Sequence, residues 1–278
     1  MRRLEWRRMV AGQAYLIVLL QMAYGAYGVT VLGILGQYSG AGEFSIALTV
    51  VRLLPIFTTT LINSLFYPRL CAMYKQGEQA RLREMVGMVY RLGIIVAVGS
   101  AALLLVYGDG VITLVYTARH AAAIPILQLL AALSFFGVAD LIITWTLLAI
   151  SRPWQVLQPL LVRTLVLLAT LPLALLLHSD GPDLTLLLGL GYLGSSLAGW
   201  ILQLALFRRA GYSGESGFIG LILGLAMGLG LFVRYVIPWP FAAGLERTLS
   251  SLLLAGLLYA FAAALIFWQQ ARKHFARI

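Results

Sequence analysis

Apolar residues gather in eight long blocks, at about 10–35, 43–67, 86–107, 121–149, 155–177, 184–207, 217–237 and 249–268, with short polar stretches between them. Each block is near the ~20 residues an α-helix needs to cross a hydrocarbon core ~30 Å thick. Barrel strands would be shorter, ~10 residues of alternating polarity, and no such alternation runs through the chain. Pro55, Pro159 and Pro172 interrupt three of the blocks. These blocks still read as helices, because neighbouring helices can satisfy the carbonyls a proline frees. The pattern predicts an all-α, polytopic transmembrane helix bundle of about eight spans.

Composition sharpens this. Of 278 residues, 61% are apolar and 11% charged, whereas soluble domains carry roughly 25% charge. A water-soluble enzyme, a disordered chain and a disulfide-rich fold are excluded. Cys71 is the single cysteine, so no intramolecular disulfide is possible. The net charge of +10 becomes informative once its placement is read. Arg2, Arg3, Arg7 and Arg8 precede the first block. Arg69, Lys75, Arg81, Arg83 and Arg91 flank the loop after the second. Arg152, then Arg208 and Arg209, then Arg272, Lys273 and Arg277 follow at alternate loops and the end. The opposite side holds Arg119, Arg234 and Arg247 with Glu43, Asp109, Asp180, Asp183 and Glu246. Eight spans with both termini cytoplasmic satisfy the positive-inside rule. The basic excess is therefore a topology signal, and it gives no reason to invoke nucleic acid. The first block exceeds the ~7–15 apolar residues of a secretory signal, so it reads as a retained span. The longest loop, 68–85, reads as a helical extension into the cytoplasm and is too short for a catalytic module.

Three ionisable residues fall inside spans: Arg52, Asp140 and Arg163. At 1.5 Å per residue they lie ~14, ~15 and ~12 Å from the ends of their helices, near the membrane midplane. Each costs at least ~2.5–3.5 kcal/mol there unless it faces a partner or water, so all three point inward. On the second span Ser45, Thr49, Arg52, Thr59, Thr60, Asn63 and Tyr67 share an arc of about 100°. On the first span Gln13, Gln21, Tyr24 and Tyr27 occupy about 120°. Two such stripes on consecutive helices predict the wall of a hydrated cavity; the alternative is plain interhelical bonding at ~0.6 kcal/mol per contact. Asp140 and Arg163 sit at similar depth on consecutive antiparallel helices, placed either to pair as a packing salt bridge or to bind charge. Arg52 has no evident acidic partner at its level in its neighbouring helices and is the candidate for an anionic group such as a diphosphate, which guanidinium grips bidentately. The candidate substrate-binding set is Arg52, Arg163, Asp140, Asn63, Thr59, Tyr24 and Gln21.

Gly220, Gly224 and Gly228, and separately Gly191, Ser195 and Gly199, repeat every four residues, the small-residue spacing that lets helices approach closely. Enzyme signatures are missing. His120, His178 and His274 lie far apart at segment ends, giving no metal cluster. No nucleophile elbow, phosphate loop or zinc-protease motif occurs. No cofactor is implied, and the protein is not expected to be an enzyme.

The order of features carries a resemblance. The first span ends in VLGILGQYSGAGEFSIA, residues 31–47, and the next, long polar-striped helix ends FYPRLCAMYKQGEQARL. This resembles the start of the C-terminal lobe of the multidrug/oligosaccharidyl-lipid/polysaccharide (MOP) exporters, of the O-antigen and capsule flippase type. Gly36, Tyr38 and Ala41 match that family's G-x-Y-x-x-A turn, and Pro68 its terminal proline. YGDGVITLVYTARHAAAIPILQLLAAL is similar to the segment leading into the family's tenth helix, although ARHAAA lacks the usual glycine. TLLAISRPWQVL is similar to its next cytoplasmic turn. The resemblance implies a basic N-terminus over 1–9, a six-helix lobe over 10–207, and two accessory helices with a basic tail over 208–278.

It further implies movement of an undecaprenyl-diphosphate-linked glycan across a bacterial inner membrane by alternating access, through a cationic cavity. Family members have two six-helix lobes and this chain is expected to carry only the second. Parallel repeats share an orientation, so a homodimer or a partner chain could close the cavity. Two alternatives stay open. One is a non-transporting scaffold subunit or truncated remnant, in which Gly220, Gly224 and Gly228 matter and Arg52 does not. The other is a cation-coupled drug exporter of the same superfamily, for which Asp140 would be the only acidic residue in the cavity.

Overall fold

The computed structural model describes residues 2–176, 182–212, 222, 226–227, 250–251 and 253–265. The described residues form helices and turns only. In order they are α1 (Arg2–Ile34), α2 (Tyr38–Leu61), a π-helical turn (Ile62–Phe66), α3 (Tyr67–Gln76), α4 (Gln79–Tyr116), a 3₁₀ turn (Ala118–His120), α5 (Ala123–Leu130), α6 (Ala132–Ala149), α7 (Pro153–Leu168), α8 (Thr170–Leu176) and α9 (Pro182–Arg209). A further helical segment covers Leu253–Leu265. Among the described residues, five stretches are long and apolar enough to cross a membrane: Tyr15–Ile34, Gln79–Tyr116, Ala123–Ala149, Pro153–Leu173 and Leu184–Arg209. The expected block at 217–237 lies almost wholly outside the described residues.

Local chemistry explains the joints. α1 closes on Gly36, which takes the left-handed conformation (φ 77°). There the Gln37 N–H donates to the Leu32 carbonyl at 2.9 Å, satisfying the helix end. The glycine of the G-x-Y-x-x-A match is thus the residue whose backbone makes the turn. Pro68 has no N–H to give to the preceding turn, and the chain accommodates this with the π-helical turn just before it. The helix then continues to Gln76, where Gly77 (φ 76°) reverses it into α4. The 68–85 stretch is thereby a helical hairpin.

α4 runs to Tyr116, nine residues past the expected end at 107, with one non-helical residue at Tyr107 (φ −117°, ψ 15°). Tyr107-Gly108-Asp109-Gly110 looks like a turn by local propensity. In an apolar setting the backbone gains most by keeping its internal hydrogen bonds, and the glycines bend the helix rather than end it. The blocks at 121–149 and 155–177 each have a one-residue interruption of the hydrogen-bond ladder, at Ala131 and Ala169, whose backbones stay in the helical region.

Alternate turns collect at opposite ends. At one end Tyr212 packs near Arg83 and Arg152; burial raises its phenol pKa and the two guanidinium charges draw it back down. At the other end the α1–α2 turn, Ala122 and Thr185 border one cavity. The distribution of basic residues predicts the first end in the cytoplasm and the second outside. α7 lies along α9 and α1, α4 along α6, and α2 against α5 and α6.

Two large apolar clusters result. One joins α4, α6 and the ends of α3 and α9 through residues such as Tyr90, Ile94, Ile142 and Phe207. The other joins α1, α2, α5 and α9 through Leu32, Phe44, Leu127 and Tyr192. Tyr259 of the terminal segment donates to the Ile95 carbonyl of α4, fixing that segment to the bundle.

Candidate functional site

A cavity of about 340 Å³ lies where the two apolar clusters meet. α1 contributes Gln21, Tyr24 and Gly25; α2 Leu48, Val51 and Arg52; α6 Gly137 and Asp140; α7 Arg163; α9 Tyr192 and Ser196. Five of the seven candidates therefore border one space: Arg52, Arg163, Asp140, Tyr24 and Gln21. The other two, Thr59 and Asn63, have helical backbone on α2 and the π-helical turn. Their side chains lie outside the described residues.

The charges in the cavity are partnered unequally. Arg163 and Asp140 form a bidentate pair, Nη1 to Oδ2 and Nη2 to Oδ1, both at 2.9 Å. Gln203 completes this unit. Its amide nitrogen donates to the Asp140 carbonyl and to Thr144 Oγ1, both at 3.0 Å, and its oxygen accepts from Arg163 Nη2 at 3.4 Å. The Arg163 side chain crosses the surface of α9 at Gly199, and a Cβ there would collide with it. Gly199 belongs to the small-residue face expected to serve helix packing. What it admits is the stem of an arginine, so the same spacing positions the salt bridge.

Arg52 has no such match. Its Nη2 donates to the Gly25 carbonyl at 3.1 Å, and among the described residues it forms no ion pair. Since Asp140 neutralises Arg163, the cavity keeps one positive charge in excess, on Arg52.

The backbone around Arg52 is itself unusual. The Tyr192 hydroxyl donates to the Tyr24 carbonyl at 2.7 Å and accepts from the Gly28 N–H at 3.1 Å. It sits in the ladder of α1 where those two groups would otherwise bond each other. One turn of α1 thus shares its carbonyls with Tyr192 and Arg52. Tyr24 Oη in turn lies 3.0 Å from Ser195 Oγ and 2.7 Å from Ser196 Oγ, and Tyr27 Oη lies 3.2 Å from Thr170 Oγ1.

The polar stripe of α2 divides. Arg52 turns into the bundle, while Thr49, Thr60 and Ser64 are exposed and bond back to the carbonyls of Ser45, Ile56 and Thr60 in their own helix. Those hydroxyls need no water to be satisfied. Gln203, Thr144, Tyr192 and Ser196 were not singled out from sequence. For Tyr192, Ser196 and Gln203 the one signal is the Gly191, Ser195, Gly199 face on α9, and Thr144 on α6 has none.

Together these features define a multi-pass helical membrane protein with a charged cavity inside the bundle. No family model matches the chain, and no curated protein matches it in sequence. Among solved structures it is similar to the lipid II flippase MurJ in its inward closed conformation. That match has a TM-score of 0.67 at 12% identity, over 90% of this chain and 52% of that one. The chain spans about half the length of that protein. At this identity the likeness shows the fold.

Proposed function

We propose that the chain is one lobe of a flippase for a lipid-linked glycan precursor, of the O-antigen or polysaccharide exporter type, in a bacterial inner membrane. The observation that carries this is the single uncompensated guanidinium, Arg52, facing a 340 Å³ cavity in a lobe of MurJ-like fold. A half-buried, unmatched positive charge is expensive in a bilayer, and an anionic ligand offsets that cost. A diphosphate suits it, because guanidinium binds phosphate oxygens bidentately. Tyr24, Gln21 and Ser196 supply neutral hydrogen-bonding groups around it, and Thr59 of α2 and Asn63 of the π-helical turn follow along the chain toward the cytoplasm. The Asp140–Arg163 pair holds α6, α7 and α9 in register beside the site.

A second lobe facing α2 closes the cavity, and a second copy of this chain or a partner chain can supply it. The exposed hydroxyls of Thr49, Thr60 and Ser64 support this, since they give α2 a polar outer edge suited to a hydrated cleft between lobes. In liposomes containing the purified protein, a fluorescent undecaprenyl-diphosphate-linked sugar crosses between leaflets, and Arg52→Gln abolishes the crossing at equal insertion. Crossing no faster than in protein-free liposomes contradicts transport by this chain. Equal crossing by both forms contradicts the role of Arg52.

A further inference from the structure

Of the five spanning stretches among the described residues, the one in α1 is held least by apolar packing: 17% of its most apolar part is buried, against 33% to 61% in the other four. A helix so lightly packed takes its rotation and height from specific polar contacts. At the depth of Arg52 those contacts come from α9. Tyr192 is fully buried there, with its ring against those of Tyr24 (5.1 Å between centroids) and Phe44 (5.6 Å). Its hydroxyl donates to the Tyr24 carbonyl and accepts from the Gly28 N–H, one turn apart on α1. A Cβ at Gly28 would collide with the Phe44 ring and crowd that of Tyr192, so glycine is what lets both come this close. The Tyr24 side chain also reaches Ser195 and Ser196 of α9, but Tyr192 makes the contact with the backbone of that turn.

Gly25 lies between the two anchored residues, and it is the residue Arg52 meets. Arg52 Nη2 donates to the Gly25 carbonyl at 3.1 Å. A Cβ on Gly25 would stand 3.4 Å from both Nη atoms and 3.7 Å from Cζ, so the tip of the guanidinium rests against bare backbone. The place of the guanidinium therefore depends on where α1 holds that carbonyl, and Tyr192 holds α1 there. An arginine already fixed in its binding position loses less freedom on meeting an anion than one that must first be ordered. Tyr192 itself borders the cavity. Its one hydroxyl proton goes to the Tyr24 carbonyl, so it has no donor to offer a phosphate.

We propose that Tyr192 is a positioning residue of the anion site: by pinning the 24–28 turn of α1 to α9, it sets the Gly25 carbonyl, and through it the Arg52 guanidinium, where a ligand phosphate is bound. The proposal rests on the lipid-linked glycan reading and adds to it a residue that acts on the ligand through Arg52.

The test is a double-mutant cycle on the affinity for undecaprenyl diphosphate in nanodiscs, measured below the thermal midpoint of every protein. The four members are wild type, Tyr192→Phe, Arg52→Gln and the two substitutions together. Tyr192→Phe is expected to weaken binding roughly three- to tenfold, the cost of ordering one long side chain. Once Arg52 is replaced, Tyr192→Phe has no further effect on affinity, which a general loosening of the bundle would not produce. Tyr27→Phe is the control. It removes another hydroxyl contact from the same helix, to Thr170, away from the cavity, and leaves affinity unchanged. Undiminished affinity in Tyr192→Phe, an equal loss in the Arg52→Gln background, or the same loss in Tyr27→Phe overturns the positioning role and leaves the flippase reading standing. No binding by wild type, or binding unaffected by Arg52→Gln, overturns both.

Discussion

Arg52 and Arg163 border the same cavity at similar membrane depth, yet their surroundings are opposite. Arg163 has a bidentate carboxylate, a glutamine that ties that carboxylate's helix to α9, and a glycine cut into the facing helix to admit its stem. Arg52 has one backbone carbonyl. Depth alone made the two arginines equivalent; the partners separate them. A matched buried charge fixes helix packing, whereas an unmatched one is a binding group waiting for its counter-charge.

The comparison breaks most visibly at Asp140. Asp140→Ala leaves Arg163 buried without its counter-ion and is expected to cost about 3–5 kcal/mol, read as a fall in the thermal midpoint in detergent. Adding Arg163→Met recovers most of that loss. A stable Asp140→Ala protein would show that the pair does not hold the bundle. Next comes Gly199→Val, which fills the notch on α9 and displaces the Arg163 stem, at an expected cost of about 1–3 kcal/mol. Gly194→Ala, five residues away with open space at its Cβ position, is the neutral control on the same helix.

A smaller effect is expected at Tyr192→Phe. It removes the hydroxyl that bridges Tyr24 and Gly28 and costs about 1–2 kcal/mol. Faster amide exchange across residues 24–28 of α1, relative to the rest of that helix, locates the loss. The smallest change is expected on the exposed edge of α2. Thr49→Ala alters stability by about 0.6 kcal/mol or less, because the hydroxyl it removes bonds only within its own helix.

Much of the bundle was legible because the bilayer enforces long helices, and the blocks of apolar residues report them directly. The intramembrane charges were legible for the same reason. A residue as costly as Arg52, Asp140 or Arg163 stands out in an apolar run, and the antiparallel order of α6 and α7 put two of them level. The rest of the site was not, since Tyr192, Ser196 and Gln203 are ordinary polar residues of α9 until the fold brings them against α1 and α6. The Glu43–His120 contact joins residues 77 apart, with no periodicity linking them. Tyr107-Gly108-Asp109-Gly110 misled in the other direction, because turn propensity is weak against the demand for backbone hydrogen bonds in an apolar setting.

The most direct test of the central claim is the affinity for undecaprenyl diphosphate of wild-type and Arg52→Gln protein in nanodiscs, each checked for its thermal midpoint. The account predicts that affinity falls tenfold or more, as expected for losing a charge-assisted contact, while the midpoint barely moves. Unchanged affinity with an intact fold would contradict it, and Arg52 would then be one more intramembrane charge satisfied by the protein itself.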